Sequence, residues 1–226
     1  MKPGDFVKVD YVGRIKGTGE IFDLTKEDIA KKENLYNSNA KYKPVVLILG
    51  SGFLIKGLDE ELQKMKVGEK KKIEIPHEKA FGDKKSELVK IVPESKFKEQ
   101  NLDPFPGAIV NIGNMKGKII SVDGGRVKVD FNHPLAGKTL EYDIEILALV
   151  EDVDDKIKSA FGYFTTVDDV EVKTEGKETE ILVKKDVDIV RPVKKMVAET
   201  IIKWCDVDKV RISEVFEKRE SDKTEK

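Results

Sequence analysis

The chain has little of what most catalytic and anchoring chemistry requires. Among 226 residues it has a single cysteine, Cys205, and two histidines, His77 and His133. One cysteine excludes an intramolecular disulfide and a thiolate metal cage, and it implies no oxidising compartment. Two histidines exclude a histidine-rich metal site, and both read as structural. No apolar stretch approaches the roughly 20 residues that span a bilayer, and the N-terminus alternates polar and apolar residues without an apolar leader. The expectation is an unprocessed cytoplasmic protein. An excess of one charge is missing too: 42 Lys and Arg stand against 43 Asp and Glu, interleaved, so that no run marks a tail seeking nucleic acid or membrane. What is abundant is charge itself, and heavy use of Lys and Glu is the compositional signal of hyperthermophilic proteins, where ion pairs cost less as temperature rises.

A chain of this length holds two or three small domains. Phe6 to Val12 is a strand-like run broken by Gly13 and Gly17-Thr18-Gly19, and strand character resumes at Ile21-Phe22-Asp23, which reads as a hairpin. Leu24 to Tyr42 is polar around Ile29, Ala30 and Leu35 and predicts a short surface helix with Thr25 as N-cap. Val45-Val46-Leu47-Ile48-Leu49 predicts a buried strand ending at Gly50-Ser51-Gly52. Phe53, Leu54, Ile55, Leu58, Leu62 and Met65 fall near helical spacing and predict a one-sided helix. Lys72 to Pro76 alternates as a strand, and Ala80-Phe81-Gly82-Asp83 turns away from it.

From about Lys84 to Asp130 the composition changes to short β-type runs around Pro104-Phe105-Pro106-Gly107 and Asp123-Gly124-Gly125, the latter a hairpin turn rather than a phosphate loop, since no Lys-Ser/Thr follows. Leu140 to Leu149 is a long alternating strand that returns to the first unit. Beyond the acidic stretch Glu151 to Asp155 the pattern predicts strand, strand around Gly176, a helix from Pro192 to Trp204 and a last strand from Val210 to Phe216, with Lys218 to Lys226 frayed. Asp154-Asp155 and Asp168-Asp169 read as solvated loop acids, and Cys205 as a packed thiol.

Four segments read in order carry a resemblance: Phe22-Asp23; Gly50-Ser-Gly-Phe-Leu-Ile-Lys-Gly-Leu58; Ile75-Pro-His-Glu-Lys-Ala-Phe-Gly82; and Asn132-His-Pro-Leu-Ala-Gly137. Together they resemble the FKBP family of peptidyl-prolyl cis-trans isomerases, in particular its SlyD-type branch and the long archaeal members. The resemblance covers residues 3 to 82 and 131 to 150, and more loosely the segment between. It implies an α+β fold: an FKBP-type antiparallel sheet wrapped on a short helix (residues 1–83 and 131–151), an inserted small β-rich chaperone domain in the flap (84–130), and a C-terminal α+β domain (152–226). It implies prolyl isomerisation without cofactor or metal, on unfolded or partly folded proteins with X-Pro bonds. By motif, Tyr11, Phe22, Val45, Leu54, Ile55, Leu58, Phe81 and Tyr142 line the prolyl pocket, Asp23 is the polar group at its edge, and the Ile55 N–H binds a substrate carbonyl. For each apolar residue the competing reading is ordinary core packing. Leu58, Phe81 and Val45 stand where single-domain members commonly carry Trp, Tyr and another aromatic, so the resemblance implies isomerisation more than tight macrolide binding.

In the insert, Ile91, Val92, Phe97, Leu102, Phe105, Ile109 and Val110 are expected to form an apolar client-binding groove, or else the module's own small core. The C-terminal unit has a marginal core of its own. Ile181, Val183, Val193, Val197, Ile201 and Trp204 are therefore expected to be covered by the rest of the chain or by a second copy, and the resemblance to long archaeal members favours a homodimer. Two other functions stay open. One is a holdase without useful catalysis. The other is RNA binding through Lys116, Lys118, Arg126 and Lys128, against which stands the absence of any aromatic platform between Phe105 and Phe131.

Overall fold

The computed structural model describes residues 1–99, 101–165, 167, 169–184 and 188–215. Asp168, Phe216 and the charged tail from Lys218, all named above, lie outside the described residues. The class is α+β, with three separate sheets and few helices.

The first sheet is built on β1 (Phe6–Ile15), which pairs with β9 (Leu140–Val150) along its whole length. The other edge of β1 is shared: β3 (Val45–Ile48) takes Phe6 to Val9 and β2 (Ile21–Leu24) takes Val12 to Arg14. On the far side of β9 lies β4 (Lys70–Ile75), and every pairing is antiparallel. One face of this sheet closes on α2 (Lys56–Lys64), whose Leu58 and Leu62 share a core with Val7, Val9, Leu47, Leu49, Ile73, Ile75 and Ile146. Helix and sheet approach so closely that a Cβ on Gly57 would stand 2.5 Å from Ile75 Cγ2. The expected N-cap at Thr25 is not formed. Helix α1 (Glu27–Lys32) starts after Lys26, and the buried Thr25 hydroxyl instead accepts the Tyr11 N–H at 2.8 Å and donates to Asp10.

Between β4 and β9 the chain forms a four-stranded antiparallel sheet in the order β5 (Val89–Pro93), β8 (Arg126–Asp130), β7 (Met115–Asp123), β6 (Ile109–Ile112). A short helix, α3 (Ser95–Lys98), which the sequence reading lacked, presses Phe97 onto Ile119, Val127 and Val129. Phe97 is 3% exposed. It belongs to this small core, so of the two expectations for Phe97, groove or core, the core is the one observed.

The C-terminal residues hold a further element that the sequence reading missed. Helix α4 (Val153–Thr165) precedes β10 (Val170–Glu175), β11 (Glu178–Val183), α5 (Arg191–Trp204) and β12 (Lys209–Glu214), with β11 and β12 parallel. The acidic stretch that reads as solvated loop is the start of α4. Asp152 accepts the Asp155 N–H at 2.9 Å, and Asp154 and Asp155 lie in the first turn, where negative charge faces the positive end of the helix dipole. Ile181, Val183, Val197 and Ile201 are buried with Ile157 and Phe161 of α4 and with Phe6 and Ile48 of the first sheet. Val193 and Trp204 pack on the same core. Of the two expected covers for these residues, the chain itself supplies the one observed.

Candidate prolyl-binding pocket

An aromatic box stands on the inner face of the first sheet. Antiparallel register sets Tyr142 opposite Gly13 and Tyr11 opposite Ile144, so both tyrosines project to one face. Their ring centroids are 5.8 Å apart. Phe22 reaches over from β2 and meets Tyr142 edge-on at 5.6 Å and 85°. Its ring fills the space above Gly13, where a Cβ would come within 2.7 Å of Phe22 Cζ. Gly13, which the sequence reading took only as a break in a strand, is therefore the seat of the third wall.

The polar groups of the box are few. Tyr11 donates its hydroxyl to Asp23 Oδ2 at 2.6 Å. Burial, and then the Asp23 carboxylate, push the Tyr11 phenol well above its usual pKa; burial and the same carboxylate push Tyr142 upward as well. Both rings are neutral at any physiological pH. Tyr142 is 6% exposed, yet among the described residues its hydroxyl meets no hydrogen-bond partner, and it is not sealed from solvent. That leaves one oriented donor unspent.

The loop from Gly50 to Ile55 forms the next side. It is held by the Asp59 carboxylate, which accepts the Gly50 N–H at 3.0 and 3.1 Å, and by Ser51, whose hydroxyl donates to the Ile48 carbonyl at 2.7 Å and accepts the Phe53 N–H at 3.2 Å. Ile55 is the extended residue before α2, and its carbonyl receives the Leu58 and Asp59 N–H groups. Among the described residues no acceptor meets the Ile55 N–H itself. Leu58 is buried beneath, and Val45, Leu54 and Phe81 pack on the same cluster as Tyr11, Phe22 and Tyr142. All eight apolar residues named from the motifs thus meet in one cluster, with Asp23 hydrogen-bonded at its edge.

Phe81 is fixed from outside by His133, stacked at 4.1 Å and 4°. Here the chain leaves the first sheet and later returns. Asn132 clasps the two passing segments, accepting the Lys85 N–H at 2.8 Å and donating to the Lys85 carbonyl at 2.9 Å. Gly137 N–H donates to the Gly82 carbonyl at 2.8 Å, and Lys84 pairs with Asp130 at 2.5 Å. The Asn-His-Pro-Leu-Ala-Gly segment is a buckle at the base of the second sheet.

The insert residues gather elsewhere. Ile91 and Phe105 are 65% and 62% exposed, Leu102 and Ile109 are exposed, and Val92 and Val110 pack partly on the Phe97 core. They do not join the box.

The family model "FKBP26, IF domain" matches residues 90–135. The short-type peptidyl-prolyl cis-trans isomerase of Methanocaldococcus jannaschii is 36% identical over 146 residues, 65% of this chain and 92% of that protein. The FKBP-type 16 kDa peptidyl-prolyl cis-trans isomerase of Escherichia coli K12 is 33% identical over 133 residues, 57% of this chain and 87% of that protein. The SlyD isomerase of Helicobacter pylori is 28% identical over 153 residues, 66% and 75% of the two chains. With isomerase relatives 36% and 33% identical matched over 92% and 87% of their length, the chain belongs to the family of FKBP-type peptidyl-prolyl cis-trans isomerases.

Proposed function

We propose that the aromatic box is the site where this chain twists X-Pro bonds, and that the inserted sheet presents it with unfolded clients. Rotation about a peptide bond is opposed by about 18–20 kcal/mol, largely from amide resonance. Twisting removes that resonance and makes the carbonyl less dipolar, so a dry apolar pocket favours the twisted state over the planar one. A thousandfold acceleration needs only about 4 kcal/mol of such preference. No nucleophile, metal or redox group is required.

Tyr11, Phe22, Tyr142, Phe81, Val45, Leu54 and Leu58 would enclose the proline ring. The Ile55 N–H and the Tyr142 hydroxyl would hold the substrate carbonyls on either side of the rotating bond, and Asp23 keeps the Tyr11 hydroxyl turned away from competing for them. The observation that carries this reading is the coincidence of a half-buried, largely apolar three-ring box with two donors that have no partner among the described residues.

The chaperone half rests on the insert. Ile91, Leu102, Phe105 and Ile109 remain exposed, and β6 is an edge strand of its sheet, so an extended segment has both apolar contacts and a free ladder to join. Tethering such a client raises its local concentration at the box, favouring proteins over short peptides. On this reading residues 1–83 with 131–151, 84–130 and 152–226 are three functional units, the last sharing its core with the first. A homodimer through the third unit draws no support from Ile181, Val183, Val197 or Ile201, which are buried within the chain.

The test pairs two assays. Prolyl exchange in a short peptide should be accelerated by the wild type and weakened by Asp23→Ala. Refolding of a proline-limited protein should be weakened by the double change Ile91→Ser and Phe105→Ser, with peptide exchange untouched. A wild type that suppresses aggregation but leaves peptide exchange at the buffer rate would mean a holdase.

A further inference from the structure

Outside the box, one cluster of rings takes no part in enclosing the proline. Helix α4 turns Ile157, Ala160 and Phe161 into the C-terminal core. Tyr163, two residues after Phe161, falls on another side of the helix and meets the pocket loop. Phe53 lies 5.6 Å from Tyr163 and 5.2 Å from Phe164, and the last two are 5.0 Å apart. Beneath them a small cleft is lined by Val46, Ile48, Leu54, Ser159 and Ala160.

Rings that serve only to pin a helix to a loop are expected to be buried. Here Phe53 stays 39% and Tyr163 47% exposed, a pair of aromatic faces left in water at the pocket rim. They are continuous with the pocket through the chain itself. Leu54 lines the cleft and also packs on the box cluster, and Ile55, whose N–H meets no acceptor among the described residues, follows directly. Two peptide steps separate Phe53 from Ile55, about 7 Å of chain, which matches one or two residues of an extended substrate.

We propose that Phe53 and Tyr163 form a side subsite of the pocket, which takes an apolar or aromatic side chain within two residues of the substrate proline. The C-terminal helix α4 then takes part in substrate choice as well as in packing. This rests on the box being the prolyl site. The occupant is the client chain and not a second copy, because the subsite adjoins the N–H that would anchor that client.

The experiment uses the full chain and proline peptides that carry Ala, Leu or Phe at positions one and two removed from proline on each side, with exchange rates read by NMR. Wild type should favour Phe or Leu over Ala at one such position. Tyr163→Ser and Phe53→Ser should each lose about 3- to 10-fold in kcat/KM on the favoured peptide and stay within about twofold on the Ala peptide, while Tyr163→Phe keeps the preference. A wild type without preference overturns the proposal. So does a preference that survives both serine variants, or an equal loss on all peptides, which would mark the rings as structural. If wild type accelerates no peptide, or Tyr142→Ala leaves the Ala peptide unaffected, the failure lies with the box and not with the subsite.

Discussion

Tyr142→Phe separates what the Tyr142 ring does from what its hydroxyl does. The ring is buried and contacts Tyr11 at 5.8 Å and Phe22 at 5.6 Å. Removing it, as in Tyr142→Ala, deletes two aromatic pairs of about 0.5–1.5 kcal/mol each and opens a cavity, for a total cost of about 3–5 kcal/mol in stability. Loss of activity in that variant is therefore uninformative by itself. Phenylalanine keeps the packing. Because the hydroxyl has no partner among the described residues, its removal orphans nothing in the fold, and stability should change by less than about 0.5 kcal/mol. In the twisted state the hydroxyl is proposed to meet a substrate carbonyl, a hydrogen bond worth about 0.5–1.5 kcal/mol net, so kcat/KM should fall about 2- to 10-fold. The assays are NMR exchange on a proline tetrapeptide and urea unfolding of the same two proteins. If Tyr142→Phe unfolds at clearly lower urea while kcat/KM stays at the wild-type value, the hydroxyl is structural and the donor assignment is wrong.

Gly57→Ala drives a methyl to within 2.5 Å of Ile75 Cγ2 and 3.3 Å of the Lys79 carbonyl, so it should cost about 1–3 kcal/mol despite alanine's better helix propensity, read as a lower urea midpoint. Burial pushes the Cys205 thiol up to about 12, so the native chain should resist a thiol reagent at pH 8 and react at once in denaturant; fast native labelling would place Cys205 outside the core. Stability should decline at both ends of the pH scale. Tyr11 and Tyr142 are raised above an ordinary 10.0 in the fold, so their contribution is full below pH 10 and lost as pH rises past it. Glu61 is held down to about 2 by hydrogen bonds from Lys64 and Lys71, so its contribution is present above about 4.5 and lost as pH falls toward 2. Both lysines of this cluster stay in contact with solvent, and Glu61→Gln should remove only about 0.5–1 kcal/mol of the acid-sensitive stability, measured as a flatter urea midpoint between pH 5 and 2.

The parts of this fold that were legible are those whose signal is local. The hairpin of β1 and β2, the long β9 and the one-sided α2 each announce themselves by a period and a turn, and the residues that gather in the box cluster by motif. Local signal fails where a residue's role is set by something distant. Thr25 has the chemistry of an N-cap, but Asp10 and the Tyr11 N–H, across the β1–β2 pairing, claim its hydroxyl. Gly13 reads as a strand breaker, and only the Phe22 ring above it explains why a side chain is excluded. Phe97 had an even case for core or groove, and α3, a helix too short to show a period, decided for the core.

Helix α4 is the larger miss, and its physical cause also bears on function. Asp152 followed by Asp154 and Asp155, then Ile157, Ala160, Phe161 and Phe164, is a capped amphipathic helix in plain view. Its acidic start resembles a linker only while the run Val45 to Leu49 is taken to serve a single core. That run has no polar alternation because it serves two: Val45, Leu47 and Leu49 face α2, whereas Val46 and Ile48 face the C-terminal core. A strand apolar on both faces requires a second layer, and α4 with α5 supplies it. The five residues of β3 and its end thus bind the C-terminal unit to the back of the sheet that carries the box. This placement brings Tyr163 against Phe53, and it means that truncating the chain after β9 would strip a face of the sheet that carries the box as well as an appendage. Peptide exchange by residues 1–151 alone should consequently be weaker and less thermally stable than by the full chain; equal activity and an equal melting temperature would show that the second layer is dispensable.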